Sequence, residues 1–209
     1  MKKILVLTMT TILMLMANIA MTACGSSDKG SAGSDGGEVL DGTKTLAYFN
    51  KYVSGGAYTM VMKTDYDGTS TSMTSAVKGD MLYSETDMGG TKSIMIMRDG
   101  HQYFLDPASK VCMKMSMDMA STSEMFSDKA ASYETALNTG TEEINGNSYD
   151  YEEFDVDGVS AKYYFDGNEL KYITTVMEGE TYLMEIVSME KGADDSLFEI
   201  PSNYAVMEY

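Results

Sequence analysis

Between residues 57 and 117, turn-forming pairs cut the chain into segments of five to ten residues: Asp67-Gly68, Gly79-Asp80, Gly89-Gly90, Asp99-Gly100 and Asp106-Pro107. The pattern returns after residue 140 with Asn145-Gly146, Asp157-Gly158, Asp166-Gly167 and Glu178-Gly179. Asn-Gly and Asp-Gly tolerate positive φ at both central positions of a tight hairpin, where the turn must follow the twist of its strands. The segments between them are rich in Tyr, Thr, Val, Ile and Met and too short for a run of helices. This predicts an antiparallel meander of about eleven strands, near 57–66, 70–78, 81–87, 92–98, 101–105, 111–117, 141–145, 147–156, 159–166, 169–178 and 180–190.

Two stretches depart from that texture. Thr43 to Val53 carries Leu46, Phe49 and Val53 at helical spacing and stops at Gly55-Gly56, which predicts a short amphipathic helix. Ser121 followed three residues later by Glu124 forms a capping box, and Phe126, Ala130, Tyr133 and Leu137 continue one helical face toward Gly140. Strands and helices do not alternate one for one, so the expected class is α+β, mainly antiparallel β.

The first residues predict export. Met1-Lys2-Lys3 is positive, and an apolar stretch from Ile4 to Ala20 follows, interrupted by Thr8, Thr10, Thr11 and Asn18. A spanning helix needs about 20 predominantly apolar residues, whereas this stretch leads into small residues at Met21-Thr22-Ala23-Cys24. That tetrad resembles the lipobox of bacterial lipoproteins, with Met where Leu is usual. The resemblance implies attachment of diacylglycerol to the Cys24 thiol and cleavage before it. The expected organisation is a signal peptide at 1–23, a lipidated tether at 24–40, and a β-rich domain at 41–209. The tether is rich in Gly, Ser and Asp and without aromatic residues, too polar to order itself. The expected location is the extracytoplasmic face of a membrane, reached through the lipid.

Loss of residues 1–23 leaves 13 basic against 32 acidic residues, a net charge of −19. Such a surface excludes nucleic acid as a partner, because phosphate contacts need clustered Lys and Arg. With Cys24 modified, Cys112 has no partner for an intrachain disulfide, so the domain must rest on its core.

Several local phrases carry a family resemblance: Val77-Lys78-Gly79-Asp80-Met81-Leu82-Tyr83, Arg98-Asp99-Gly100-His101-Gln102-Tyr103-Phe104-Leu105-Asp106-Pro107, and Phe198-Glu199-Ile200-Pro201-Ser202-Asn203-Tyr204. With the order of helix, meander, helix and hairpins, they resemble the LolA/LppX-like family of bacterial lipoprotein and lipid carriers. The resemblance implies an incomplete β-barrel with helices covering its open side and an apolar cavity within. It carries no ligand-binding residue onto a numbered position.

Methionine is the most unusual component, with 21 in the chain. Met113, Met115, Met117 and Met119 alternate beside Cys112, and Met60/Met62 and Met95/Met97 repeat the spacing. Thioether and thiol sulfurs suit Cu(I). Alternation, however, puts the odd-numbered methionines of this run on one face of a strand and Cys112 on the other. The discarded leader is also methionine-rich, so the chain uses Met freely as an apolar residue. The favoured reading is a deformable wall facing an apolar interior, formed by Met60, Met62, Met95, Met97, Met113 and Met115, with no metal.

His101 is the single histidine and sits at a turn, so it forms neither a His-pair metal site nor a triad. The Asp65-Tyr66-Asp67-Gly68 and Asp155-Val156-Asp157-Gly158 runs do not continue into a calcium loop with a terminal Glu. The pairs Glu142-Glu143 and Glu152-Glu153 would point to opposite faces of a strand. No enzyme activity and no cofactor is expected. The expected function is binding or carriage of a lipid or other hydrophobic ligand. The alternative is a structural or interaction lipoprotein of the cell envelope, with no small-molecule ligand and a protein partner the sequence does not name.

Overall fold

The computed structural model describes residues 42–53, 55–66, 68–117, 133–156, 158–177 and 179–209. One α-helix, α1 (Lys44–Val53), precedes the strands. Six consecutive strands follow: β1 (Ala57–Tyr66), β2 (Thr69–Lys78), β3 (Met81–Met88), β4 (Thr91–Arg98), β5 (His101–Asp106) and β6 (Val111–Ser116). The second set is β7 (Asn138–Ile144), β8 (Asn147–Val156), β9 (Val159–Asp166), β10 (Glu169–Met177) and β11 (Glu180–Lys191). A 3-10 turn at Asp195–Phe198 and a last strand, β12 (Ala205–Glu208), close the chain. At Asn145-Gly146 and Asp99-Gly100 both turn residues have positive φ, 52° and 78° in the first pair and 52° and 70° in the second. These are the tight-hairpin conformations that the dipeptides anticipate.

All twelve strands form one sheet in the order β12-β6-β5-β4-β3-β2-β1-β11-β10-β9-β8-β7. The long crossing is the β1–β11 pair, which joins the two meanders antiparallel through a bulge at Val61/Met62. This corrects the expected incomplete barrel of eleven strands with helices over its open side: the sheet is open, with β12 and β7 as its edges. Alternation along a strand reports which side is buried, but not where the two edges of a sheet end up. The twelfth strand escaped the sequence because all four of its side chains are exposed and show no alternation. It pairs with β6 in parallel, the single parallel ladder among the described residues.

Among the described residues α1 is the single α-helix. The capping box at Ser121 and Glu124 and the face begun by Phe126 and Ala130 lie outside the described residues. The end of that predicted helix is described and is not α-helical. Tyr133 is buried while Leu137 is 71% exposed, and the Leu137 amide already donates to the Glu153 carbonyl at 2.8 Å. Strand pairing thus begins before the helical pattern runs out, and β7 starts at Asn138 rather than near residue 141.

Each face of the sheet buries its own cluster. On one face Tyr48 and Phe49 of α1 meet Phe165 and Tyr163, with ring centroids 6.3 and 6.1 Å apart, and Tyr133 lies 5.5 Å from Tyr163. The Tyr133 and Tyr163 hydroxyls bond each other at 2.8 Å. Burial pushes the Tyr163 phenol well above its ordinary pKa, with Tyr133 adding to the effect. On the other face Phe198 of the 3-10 turn is 1% exposed and packs with Ala76, Tyr83, Ile96, Leu105 and Cys112.

The sheet itself caps α1. Glu152 of β8 accepts from the Lys44 and Thr45 amides at 2.8 Å each and from the Thr45 hydroxyl at 2.7 Å. The Thr43 hydroxyl accepts from the Leu46 amide at 3.2 Å. Amides that a helix start leaves unpaired are thus met by a carboxylate from a distant strand. Lys44 pairs with Asp150 and Lys51 with Glu169, both at 2.9 Å, along the flank of the helix.

Candidate functional site

The six methionines read as a wall share one face of the sheet. Strand register aligns them in a row that runs from Met189 of β11 through Met60, Ser75, Ser84, Met95, Phe104 and Met113 to Met207 of β12. A second row sets Val77, Leu82, Met97, Gln102 and Met115 side by side. Met62 lies on the same face one step along β1, opposite Met73. Cross-strand neighbours in such rows are the contacts that stabilise a sheet.

Burial divides the row. Met60, Met62 and Met95 are packed within the core cluster that also takes in Tyr48 and Phe49 of α1. Met97 and Phe104 are half-buried. Met113, Met115 and Met207 are 41%, 37% and 42% exposed. The Gln102 amide reaches across to donate to the Met95 sulfur at 2.8 Å. The accessible part of the face is therefore the corner formed by β4, β5, β6 and β12, an apolar, sulfur-rich surface with the polar side chain of Gln102 set within it.

Cys112 lies on the opposite face, fully buried against Leu105 and Phe198, and burial pushes its thiol pKa up. It does not join Met113 and Met115. His101 stays at its turn, its Nδ1 2.7 Å from the Asp99 carbonyl. Among the described residues no group of three or more His, Cys, Asp or Glu is placed to hold a metal ion. Cys24 and Met119 lie outside the described residues. Met207 was missed by sequence reasoning, and no periodic signal in Ala205–Glu208 marks it.

Beyond β11 the reverse face carries a polar aromatic surface. Tyr149 and Tyr172 have centroids 5.3 Å apart, and Tyr151 and Tyr164 are 5.9 Å apart. The Lys162 ammonium lies 4.4 Å from the Tyr151 ring centre. Glu142 bonds Lys162 and accepts from the Tyr164 hydroxyl at 2.7 Å. These two bonds, Lys162's first, hold the Glu142 carboxyl below its usual range.

No protein-family model matches the chain, and no curated protein matches it. Among solved structures it is similar to an uncharacterized conserved protein from Thermus thermophilus, at a TM-score of 0.52 and 8% identity, over 78% of this chain and 96% of that one. The likeness is one of fold. Two structures of PNGF-II, in the C2 and P21 space groups, align over 73% of this chain and 31% of theirs. Their TM-scores of 0.31 and 0.34, at 11% and 12% identity, carry no argument.

Proposed function

We propose that this chain is a lipid-anchored extracytoplasmic binding protein that holds a lipid or other apolar molecule against the methionine-lined face of its sheet. The observation that carries the reading is the exposed end of the methionine row. Large apolar side chains grouped at one surface mark a binding site more often than singly scattered ones do, and methionine adapts to ligands of varied shape. The resemblance of Met21-Thr22-Ala23-Cys24 to a lipobox points the same way. The membrane attachment would keep the face close to a source of apolar ligands.

Native mass spectrometry of the protein extracted from host membranes tests this. A co-purifying apolar molecule is expected, and Met113→Asp with Met115→Asp should remove it without unfolding the domain, because both side chains are already partly in water. A wild-type protein that carries nothing and binds no fluorescent fatty acid would overturn the reading. The polar tyrosine face supports a second reading, an interaction module for an envelope protein. In that case crosslinks should map to Tyr149, Tyr151 and Lys162 rather than to the methionines.

A further inference from the structure

We propose that Met113, Met115 and Met207 form a thioether site for a monovalent soft metal ion, Cu(I) or Ag(I). The fold assembles a donor set that sequence alone does not offer. Along the chain, the sulfurs nearest Met113 and Met115 are Met117 and Cys112, and Cys112 is on the wrong face. The parallel pairing of β12 on β6 supplies the third donor by placing Met207 directly beside Met113. The side on which they stand is fixed by their neighbours. Lys114 and Glu208, the next pair in the register, form an ion pair at 2.8 Å on the opposite face, so Met113 and Met207 project together from the methionine face.

The spacing suits one ion. Paired residues on adjacent strands lie about 4.8 Å apart, and Met115, two residues along β6, lies about 6.6 Å from Met113. A methionine side chain has three rotatable bonds, enough for three sulfurs on this triangle to converge. All three are accessible, at 37–42% exposure, whereas Met60, Met62, Met73 and Met184 are committed to the core. The donor chemistry selects the ion, since thioethers favour Cu(I) and its soft congeners over Zn(II), Mg(II) or Ca(II). The net charge of the whole chain, −17, raises the local concentration of any cation. A thioether has no proton to lose, so this site would not compete with protons as Cys or His ligands do.

The site goes beyond apolar binding and is separable from it. The test uses the mature protein with its methionine methyl carbons labelled, titrated with silver nitrate in chloride-free buffer and followed by NMR. Three methyl resonances, assigned by single Leu substitutions to Met113, Met115 and Met207, should shift together and saturate at one ion per chain, alike at pH 5 and pH 7. Met207→Leu should weaken binding at least tenfold. The triple variant M113L/M115L/M207L should abolish it while retaining binding of an apolar probe, because Leu keeps the surface apolar. Cys112→Ala should leave Ag(I) binding unchanged. Retained binding in the triple variant, loss in Cys112→Ala, or several ions shifting all accessible methionines alike would overturn the proposal. If the triple variant failed to fold, the Met207→Leu result would still decide, because its strand is exposed throughout.

Discussion

Tyr133 and Tyr163 show how much one pair of atoms matters inside a sheet protein. Their rings are wedged between α1 and β8–β9, and their hydroxyls satisfy each other where water is excluded. Tyr133→Phe leaves the Tyr163 hydroxyl buried without its partner, which should cost about 1–3 kcal/mol. Removing both hydroxyls leaves no orphan from this bond, so the double variant should lose less than the two single variants together. Urea denaturation of the four proteins measures the coupling, and strictly additive losses would show that the bond is unimportant. None of this is legible in the sequence: there Tyr133 is one more residue on a helical face, because periodicity assigns a side but not a partner.

At the level of elements, α1 is held by the sheet more than by its own sequence. It is ten residues long, shorter than an isolated helix can sustain in water. Its aromatic residues pack on β9, and its start is capped by a carboxylate from β8. Glu152→Ala should cost about 2 kcal/mol, since it removes three bonds to a charged acceptor and strands the buried Thr45 hydroxyl. Hydrogen exchange should report the loss first at the amides of Lys44 and Thr45. Unchanged protection there would mean that water replaces the carboxylate. The helix is visible from Leu46 and Phe49, whereas its cap is not. In the sequence Glu152 is only half of an adjacent acidic pair, since 107 residues separate it from Thr45.

For the whole molecule, the proposed lipid anchor would set where the sheet works. Among the described residues no helix is long and apolar enough to cross a membrane; the attachment proposed above is the lipid on Cys24. Cys24→Ser should block lipidation, because a hydroxyl is a far poorer nucleophile than a thiolate. A larger precursor, still carrying residues 1–23, should then accumulate, with the domain folded as before. Detergent phase partitioning reads the result, and a wild-type protein that matures into the aqueous phase would refute the lipid anchor.

The sequence by itself determined the local events: the turns at Asp99-Gly100 and Asn145-Gly146, the positions of β1 to β6 and β8 to β11 to within a residue or so, α1, and the separation of Cys112 from Met113. Each follows from backbone preference or from the two-residue period of a strand, which act over a few neighbours. Tertiary structure alone decided that β1 pairs with β11, that the sheet stays open, that β12 joins β6 in parallel, and that Met207 stands beside Met113. These are encounters between segments tens of residues apart, selected by the burial of whole faces, and no local pattern in either partner specifies the other.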